Sequence, residues 1–476
     1  MSTLLESTRL ISALQECVGA NHVLTTDADM AGYAEDWRKK YHGRPAAVVR
    51  PGTAEEVAAV VRAVLQHGAT IVPQGGNTGL SGGATPDASG NQVVVSTTRL
   101  NRIREIDTAN DTIVVEAGVV LAQLQEAALQ QERLFPLTLA SEGSCTIGGN
   151  LASNAGGNAV LRYGNMRDLT LGLEVVTAQG AIWNGLRGLR KDNTGYDLRN
   201  LYVGSEGTLG IITAATLKLF PQPKAALTAF MALNGVAAAV DLLNQAREAL
   251  GPGLTAFEVI SQPCVPLLAK HFPGLRWPFD EPYPVAVLIE LSDHDSEAHA
   301  RQTLERLLEN AFEAGGVADG VVAESLTQSR ALWALRESIS EAQGLEGMHI
   351  KHDISLPISA IAGFIPQTEA ALAALVPGVR VAWFGHMGDG NLHFNVLAPE
   401  GHDPAAFSAR QPAINLLVHD LVVERQGSIS AEHGLGRLRR DENQRYKSRE
   451  ELALQRAVKQ ALDPHNIMNP GIMIIM

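Results

Sequence analysis

One glycine-rich stretch decides the fold class of this chain: residues 73–83 read Pro73-Gln74-Gly75-Gly76-Asn77-Thr78-Gly79-Leu80-Ser81-Gly82-Gly83. It follows an apolar run at residues 71–73 that predicts a strand. Glycine accepts positive φ and, because it has no Cβ, lets backbone N–H groups converge on an anionic oxygen. A loop of this composition at the end of a strand predicts a phosphate-binding turn.

A second glycine-rich stretch, residues 141–157, reads Ser-Glu-Gly-Ser-Cys-Thr-Ile-Gly-Gly-Asn-Leu-Ala-Ser-Asn-Ala-Gly-Gly. For one such loop alone, a turn-rich connection is as good an interpretation as a binding site. Two loops in one predicted sheet domain favour a large phosphate-bearing cofactor. The patterns GxGxxG and GxxxxGK[ST] are absent, and the GxSxG match at residues 79–83 lies inside a loop rather than at a strand-to-helix elbow. Neither a Rossmann nor a P-loop site is supported.

The overall composition excludes several classes of protein. The chain has 476 residues, 45 of them glycine, and its 38 Lys and Arg against 51 Asp and Glu give a net charge of −13. That sign excludes general binding to nucleic acids or anionic membranes. Cys17, Cys145 and Cys264 are widely spaced and form no disulfide or zinc pattern. Without a signal-peptide pattern or an apolar run near the ~18 residues of a spanning helix, we expect a cytoplasmic protein with no transmembrane segment and no nucleic-acid partner.

Apolar patterning divides the chain into four segments. Residues 1–41 predict small helices, and residues 42–222 alternate short strands with turns and a few helices. Residues 223–430 are rich in Ala, Leu and Glu and predict a sheet covered by helices. Residues 431–476 end in a further helix. The pattern of residues 42–222 is typical of an α+β or α/β fold and that of residues 223–430 of an α+β fold, and we predict the α+β class for the chain.

Four motifs together resemble a known family: residues 75–79, 146–150 and 203–213, and the terminal Asn469-Pro470-Gly471, are similar to the PCMH-type FAD-binding fold of the vanillyl-alcohol-oxidase family over about residues 45–476. The resemblance implies a two-subdomain FAD-binding domain at 42–222, a substrate-binding cap domain with an antiparallel sheet at 223–430, and a C-terminal segment at 431–476 that returns to the FAD domain. It implies non-covalent FAD, because the first loop has no histidine; Cys145 is the residue that would permit a thioether. The cofactor-binding residues it implies are Pro73, Gly75, Gly76, Asn77, Thr78, Gly79, Leu80, Ser81, Gly143, Thr146, Gly148, Gly149, Asn150, Ser153, Asn154, Gly156, Gly157, Glu206, Gly207, Gly210, Ile211, Ile212 and Asn469.

The densest chemistry lies in the second half, in His386-Met-Gly-Asp389-Gly390-Asn-Leu-His393-Phe-Asn395. An Asp-Gly pair between strand-like runs is a strong hairpin signal. A two-residue turn at Asp389-Gly390 would place His386 opposite His393, with Cβ atoms about 5 Å apart, and would point Asn395 the same way as His393. Two imidazoles at that spacing can bind one metal, but a metal normally needs three protein ligands. For the two histidines alone, an ordinary hairpin with exposed or hydrogen-bonded rings is the stronger interpretation.

Other polar residues extend this set. Glu432 and His433 are adjacent, and offer a third ligand and a base that titrates near neutral pH. Arg336 and Ser340 are four residues apart on a helix predicted over 325–344, which would place them on one face. Lys351 lies in a short polar-apolar stretch. Taken singly, each of these is more typical of a solvated side chain.

Taken together, these residues resemble the D-2-hydroxyglutarate dehydrogenase branch of the FAD-linked 2-hydroxy-acid dehydrogenases, which is related to D-lactate dehydrogenases and glycolate oxidase subunits. The resemblance implies a divalent, zinc-like metal on His386, His393 and Glu432. The substrate contacts that it implies are Arg336, Ser340, Lys351, Asn395 and His433. Ser340 stands where close relatives carry threonine, a change that keeps the hydroxyl but alters its packing.

The reaction that the resemblance implies is oxidation of a D-2-hydroxy acid to the 2-oxo acid by hydride transfer to flavin N5. The metal would polarise the hydroxyl, and His433 would be the general base. Two basic groups and a metal favour a dicarboxylate, D-2-hydroxyglutarate, over D-lactate, a malate-like acid or an aryl-lactate, which stay open. A non-catalytic FAD- and metal-binding subunit is the alternative from another class. An external electron acceptor such as electron-transfer flavoprotein or a quinone is expected, and a homodimer is compatible with the sequence.

Overall fold

The structure, a computed structural model, describes residues 2–476. Its strands are β1 Val23–Leu24, β2 Ala47–Val49, β3 Thr70–Gln74, β4 Gln92–Ser96, β5 Ile103–Asp107, β6 Thr112–Glu116, β7 Arg133–Leu134, β8 Thr170–Thr177, β9 Ile182–Gly185, β10 Gly210–Lys218, β11 Phe220–Pro221, β12 Ala225–Leu233, β13 Leu254–Ser261, β14 Val285–Asp293, β15 Val317–Val322, β16 His349–Ile350, β17 Asp353–Ser355, β18 Arg380–Gly385 and β19 Asn391–Leu397. Its α-helices are α1 Ser2–Val18, α2 Asp27–Ala34, α3 Ala54–Gln66, α4 Leu121–Leu129, α5 Ile147–Ala152, α6 Val160–Tyr163, α7 Met166–Leu169, α8 Arg199–Tyr202, α9 Val236–Leu250, α10 Cys264–His271, α11 Glu297–Glu313, α12 Leu326–Glu337, α13 Ile339–Glu346, α14 Ile358–Leu375, α15 Pro404–Ser408, α16 Gln411–Glu424, α17 Arg440–Tyr446 and α18 Arg449–Leu462.

The described residues form two compact units. The first comprises the described part of Met1–Gly157 together with Gly164–Gln222 and Glu432–Met476. The second comprises Asn158–Tyr163 and Pro223–Ala431. The second unit thus includes the six-residue segment 158–163, which no sequence signal separated from its neighbours.

The first unit contains a four-stranded sheet in the order β1-β2-β4-β3, in which β2, β3 and β4 run parallel. Helix α3 connects β2 to β3. It begins after Thr53, whose side chain accepts the Glu56 N–H, and it buries Val57, Val61 and Val64 completely. These valines recur at helical spacing, so α3 presents one apolar face to the core. The first glycine-rich loop starts immediately after β3, at the carboxyl end of a buried strand.

A second sheet of the same unit is antiparallel, in the order β5-β6-β10-β8-β9. The second glycine-rich stretch, residues 141–157, contains α5, and α5 packs on β6 and β10. Glycine is required for that approach at Gly148, where a Cβ would lie 2.7 Å from the Ala117 Cβ. The two glycine-rich loops therefore belong to the two sheets of a single unit.

A buried lysine holds the C-terminal segment of the first unit in place through three hydrogen bonds. Lys459 Nζ donates to Asp463 Oδ2 at 2.6 Å, to the Thr208 carbonyl at 2.7 Å and to the Met468 carbonyl at 2.8 Å. Met468 forms a parallel bridge with Ile71 of β3. The chain end thus returns to the strand that precedes the first glycine-rich loop.

The second unit is built on an eight-stranded antiparallel sheet in the order β15-β12-β14-β13-β18-β19-β16, with β17 also paired to β19. Helices α9 and α11 pack on β12 and β14, α10 packs on α13 and β18, and α14 packs on α9 and α16. The core includes Phe230, Leu288 and Phe384, all with at most 1% of their surface exposed. This antiparallel sheet with covering helices confirms the α+β prediction for the second half of the chain.

Two local predictions in the second unit are wrong. The helix expected over 325–344 is two helices, α12 and α13, which meet at Ser338. Arg336 ends up buried on α12 and Ser340 exposed on α13, so they do not share one helix face. Ser338 is both the C-cap of α12 and the N-cap of α13, and its side chain makes no capping hydrogen bond to α13.

The predicted two-residue turn is also wrong. His393 is paired with Phe384 in the β18–β19 register, and His386 lies in the connection, next to a short 3-10 helix at Met387–Asp389. Gly390 is left-handed at φ +87°, and the Asn391 N–H bonds to the His386 carbonyl at 3.2 Å and to Asp389 Oδ1 at 3.1 Å. These bonds favour a longer turn over a tight one.

Helix α14 is long and apolar enough to cross a membrane by length and composition alone, and no other helix of residues 2–476 passes that test. The core helix of a soluble protein passes the same test, so the finding is weak support for a membrane span. In the second unit α14 packs on α9 and α16.

Candidate active site

A cavity in the first unit is lined by both glycine-rich loops and by the turn that precedes β10. The residues that line it are Pro73, Gln74, Gly75, Gly76, Asn77, Thr78, Gly79, Ser81, Gly83, Ala84, Thr97, Cys145, Thr146, Gly148, Gly149, Asn150, Ala152, Ser153, Ser205, Glu206, Gly207, Gly210, Ile211, Ile212 and His433. Glycine backbone and small polar side chains dominate this wall, which suits a ligand with anionic groups.

The first loop has the geometry of an anion nest. Asn77 has φ +53°, and its side-chain amide donates to the carbonyls of Gly32 and Glu35, so the strained turn is held in place. The backbone N–H groups of residues 76–79 donate to no acceptor among residues 2–476. A Cβ on Gly79 would meet nothing within 4 Å, so the loop is open there. Backbone N–H groups that are not used within a glycine-rich turn can bind phosphate oxygens.

The second loop supplies a polar group that lacks a partner. Thr146 Oγ1 is buried, lines the cavity and forms no hydrogen bond. A buried hydroxyl without a partner costs free energy unless a ligand or water satisfies it. The nest and this hydroxyl fit a pyrophosphate-bearing cofactor such as FAD. Cys145 beside it accepts from the Asn150 side-chain amide at 3.6 Å, and burial raises the pKa of its thiol, which keeps it protonated.

Glu206 contributes a carboxylate to the same wall. Its two oxygens accept the backbone N–H groups of Leu435 and Gly436, each at 2.8 Å. Burial raises the pKa of Glu206 to about 7, although the two N–H bonds act in the opposite direction. Its backbone carbonyl accepts from the Asn469 side chain at 2.7 Å. Glu206 therefore connects the turn that precedes β10 to the C-terminal segment through hydrogen bonds.

His433, the predicted base, lies in that segment and lines the cavity. Its carbonyl and that of Gly434 each accept from Ser81 Oγ at 3.1 Å. Its Nε2 is 3.4 Å from Glu432 Oε1. The first glycine-rich loop therefore holds the backbone of the candidate base directly.

Six predicted cofactor residues are not part of the cavity wall: Leu80, Gly143, Asn154, Gly156, Gly157 and Asn469. Of these, Asn469 acts indirectly, through bonds to the carbonyls of Gly83 and Glu206. Gly157 allows close backbone packing, since a Cβ there would lie 2.1 Å from the Thr138 carbonyl. The wall residues that sequence reasoning did not select as cofactor contacts are Gln74, Gly83, Ala84, Thr97, Cys145, Ala152, Ser205 and His433. Gln74 and Gly83 belong to the first glycine-rich stretch and Ala84 follows it directly, and that position was the available signal.

The second unit brings His386 and His393 together, with ring centroids 5.6 Å apart. His386 Nδ1 lies 2.7 Å from Oε1 of Glu258, a fully buried residue on β13. His393 Nδ1 lies 3.9 Å from Asp353 Oδ1. Imidazoles whose second nitrogen faces a carboxylate are the usual metal ligands, so these two rings fit a divalent metal.

Arg336 shares the Glu258 carboxylate. Its Nε donates to Oε2 at 2.7 Å, and its guanidinium carbon lies 4.8 Å from the Phe384 ring centroid. Burial alone would raise the pKa of Glu258, but His386 and Arg336 together lower it to about 2. Glu258 was not predicted. A single charged residue inside the apolar run of β13, reading Leu-Thr-Ala-Phe-Glu-Val-Ile-Ser, was its one sequence signal.

The remaining predicted substrate residues are placed less uniformly. Asn395 is buried, and both ends of its amide are used: Nδ2 donates to Gln343 Oε1 at 2.7 Å and Oδ1 accepts the His352 N–H at 3.3 Å. Lys351 is half-buried between β16 and β17, and Ser340 is exposed. Among the predicted substrate residues, Arg336 is therefore the one whose hydrogen-bond partner, Glu258, also contacts a predicted metal ligand, His386.

Comparison with protein families gives two matches. Residues 45–185 match the model described as FAD binding domain, and residues 222–473 match the one described as FAD linked oxidases, C-terminal domain. The second spans more than half of the chain. Both confirm a flavoprotein oxidoreductase.

Solved structures share the fold at low identity. The p-cresol methylhydroxylase structure with substrate bound has a TM-score of 0.74 at 16% identity and covers 98% of this chain and 96% of its own. An alkyldihydroxyacetonephosphate synthase has a TM-score of 0.71 at 17% identity and covers 97% and 84%. At such identities the likeness concerns the fold, and it confirms the predicted PCMH-type architecture.

Curated relatives align along nearly the whole chain. A D-2-hydroxyglutarate dehydrogenase of Xanthomonas citri pv. viticola is 40% identical over 463 residues, 97% of this chain and 96% of its own. The mitochondrial D-2-hydroxyglutarate dehydrogenase of Bos taurus is 38% identical over 98% of this chain and 83% of its own, and that of Stutzerimonas stutzeri is 37% identical over 97% and 98%. The chain is therefore an FAD-dependent oxidoreductase and belongs to the FAD-linked oxidase family, together with proteins named D-2-hydroxyglutarate dehydrogenases.

Proposed function

We propose that this enzyme oxidises D-2-hydroxyglutarate to 2-oxoglutarate. The observation that carries the proposal is that His433 lines the same cavity as the glycine-rich loops of the FAD-binding unit. Oxidation of a 2-hydroxy acid removes a proton from the hydroxyl group and a hydride from the adjacent carbon. This reaction requires a general base beside the cofactor. The names of the relatives that align with nearly the whole chain support the choice of substrate.

In this proposal His433 takes the hydroxyl proton at a ring nitrogen, because histidine titrates near neutral pH. Ser81 anchors its carbonyl, and Glu206 anchors the two residues that follow Gly434. These contacts restrict the backbone on either side of Gly434, so the ring is positioned before substrate binds. The two glycine-rich stretches and Thr146 would hold FAD, which would supply the acceptor for the hydride of the C–H bond that is oxidised.

We further propose that His386, His393 and Glu432 hold a divalent metal, with zinc preferred. Glu258 holds His386 through Nδ1, and mixed imidazole and carboxylate ligands suit zinc. Glu432 follows Ala431, whose N–H bonds to the carbonyl of Asp353, the register partner of His393. When bound, the ion acts as a Lewis acid that lowers the pKa of the hydroxyl.

Arg336 and Lys351 are proposed to bind the two substrate carboxylates. Glu258 uses the Arg336 Nε, which leaves the terminal guanidinium nitrogens for a bidentate carboxylate contact. Two cations and a metal match the charge of a dicarboxylate better than that of a monocarboxylate such as lactate. Ser340 and Asn395 remain proposed substrate contacts. Ser340 is exposed, and the amide of Asn395 already forms hydrogen bonds within the protein.

Anaerobic reduction of the bound flavin tests the proposal. The purified protein is mixed in an absorbance stopped-flow instrument with D-2-hydroxyglutarate, L-2-hydroxyglutarate, D-lactate, D-malate and an aryl-lactate. We expect loss of the flavin absorbance fastest with D-2-hydroxyglutarate and none with the L enantiomer. Faster reduction by D-lactate or D-malate would reassign the substrate, and no reduction by any acid would favour a non-catalytic flavoprotein subunit.

The electron acceptor is proposed to be electron-transfer flavoprotein or a quinone. After reduction, the flavin is exposed to each acceptor, and to oxygen as the reference, while its absorbance returns. Recovery with one of the first two at least about tenfold faster than with oxygen supports a dehydrogenase. Equal or faster recovery with oxygen would indicate an oxidase.

A further inference from the structure

Glu258 is a charged side chain placed where a sheet normally holds apolar ones. It lies in the middle of β13, its register partner on β14 is Leu288, and 1% of its surface is exposed. Burying a carboxylate costs several kcal/mol, and a buried ion pair can often be replaced by apolar residues without loss of stability. Stability alone is therefore a poor reason for Glu258 to be there.

The carboxylate has two oxygens and each has its own partner. Oε1 is 2.7 Å from His386 Nδ1, and Oε2 is 2.7 Å from Arg336 Nε. A carboxylate only accepts, so the Glu258 contact places a proton of His386 on Nδ1. This is the arrangement in which a second carboxylate fixes the tautomer and orientation of a metal-binding histidine.

The same contact orients Arg336. Its Nε is held by Glu258, and its guanidinium plane lies against Phe384, with the carbon 4.8 Å from the ring centroid. These two contacts leave the terminal nitrogens little freedom, so a substrate carboxylate meets a pre-positioned fork. Phe384 also contacts the other histidine, since its ring centroid is 5.0 Å from that of His393.

We propose that Glu258 is a positioning residue that serves two groups at once, the metal ligand His386 and the substrate-binding Arg336. This inference rests on the proposed function, which assigns those two roles. Loss of the carboxylate would weaken zinc binding and substrate binding together, although Glu258 itself touches neither ligand. A residue with a merely structural role would lower stability without changing either affinity.

The test is Glu258→Gln, with Glu290→Gln as the matched control. Glu290 is a largely buried carboxylate on the adjacent strand β14, and its partners are the neutral side chains of Thr255 and Trp333. Zinc affinity is measured by competition with a chromophoric chelator, without substrate. We expect Glu258→Gln to lose about tenfold or more in zinc affinity, to raise the KM for D-2-hydroxyglutarate at saturating zinc, and to keep its FAD absorbance. Glu290→Gln should match wild type in both affinities.

The outcomes separate the two proposals. If wild type binds no zinc or is not reduced by a D-2-hydroxy acid, the proposed function fails before the variant is considered. If wild type does both, and Glu258→Gln keeps zinc affinity and KM within twofold of Glu290→Gln, the role of Glu258 is refuted and the proposed function stands. If Glu258→Gln does not fold, Glu258→Asp is used instead, because it keeps the charge on a shorter side chain. A zinc affinity and a KM of Glu258→Asp equal to those of wild type would refute the proposal in the same way.

Discussion

The Ser81 hydroxyl donates to the carbonyl of His433 at 3.1 Å, across 352 residues of sequence. Ser81 also accepts, through its own carbonyl, the N–H of Arg437 at 3.0 Å. One residue of the first glycine-rich loop therefore holds both sides of the turn that carries the candidate base. The loop that is proposed to bind FAD and the segment that carries the candidate base are in this way joined by hydrogen bonds.

Ser81→Ala should lower the rate of flavin reduction by about fivefold at saturating FAD, because it removes the one hydroxyl donor that the part-buried carbonyls of His433 and Gly434 share, worth roughly 1 kcal/mol. The rate is measured by anaerobic stopped flow with D-2-hydroxyglutarate. Ser144→Ala is the control, because Ser144 is exposed and lies outside the cavity wall. Equal rates in the two variants would show that the Ser81 bonds do not position His433.

His433→Asn should lower the rate of flavin reduction by about 10²–10⁴-fold while the FAD absorbance spectrum is kept, because the variant removes a general base and no cofactor anchor. The Ser81 bonds go to the backbone of residues 433 and 434, so they survive the substitution. The pH profile of the remaining rate should lose the limb that histidine produces near neutral pH. A rate within threefold of wild type would exclude His433 as the base.

His386→Ala should lose bound zinc and flavin reduction together and retain FAD, because the FAD cavity belongs to the first unit and His386 to the second. Zinc content is measured by mass spectrometry of the purified protein, and FAD content by absorbance. Dialysis of wild type against a chelator should have the same effect and be reversed by zinc. Full turnover of a metal-free sample would contradict the metal site.

Glu206 predicts a pH dependence of stability. Burial raises its pKa from 4.5 to about 7, so the folded protein binds this proton more tightly than the unfolded chain does. Stability therefore falls as pH rises from about 4.5 through about 7 and is level above that, by at most about 3 kcal/mol at 1.36 kcal/mol per pKa unit. Solvent that reaches the cavity reduces this amount.

Thermal unfolding of wild type and Glu206→Gln between pH 5 and pH 8 tests this. The midpoint of wild type should fall relative to that of the variant as pH rises, whatever constant offset the substitution causes. Glu126→Gln, at an exposed position on α4, should run parallel to wild type. Parallel curves for Glu206→Gln as well would mean that Glu206 titrates normally.

Lys459→Met should destabilise the first unit by about 3–5 kcal/mol, because it leaves the buried Asp463 carboxylate without its cation. Urea unfolding followed by circular dichroism measures the change. The double variant Lys459→Met with Asp463→Leu should recover part of it, since no lone charge then remains. A loss below 1 kcal/mol in the single variant would show that the C-terminal segment is not held by this pair.

Local chemistry explains most of what could be predicted. The helices Val236–Leu250 and Ile358–Leu375 lie in the segment 223–430, for which a sheet covered by helices is predicted from its composition and apolar patterning. The glycine-rich loops were found for a similar reason. Positive φ and close backbone approach require glycine, and the glycines of each loop are close together in the sequence. The prediction of a two-residue turn failed because of a local side-chain contact: Asp389 Oδ1 accepts the Asn391 N–H in the β18–β19 connection.

The sequence by itself therefore determined the two glycine-rich loops, the pair of histidines and the Glu432-His433 dipeptide, since each is a short pattern with its own chemistry. Only the tertiary structure decided which distant side chains support them. Glu258 is 128 residues from His386, and Ser81 is 352 residues from His433. Such contacts depend on sheet register and on the return of the C-terminal segment to β3, and a register shift of one residue turns a side chain to the other face of its sheet. No local pattern encodes that choice, because it is made by the packing of the whole core.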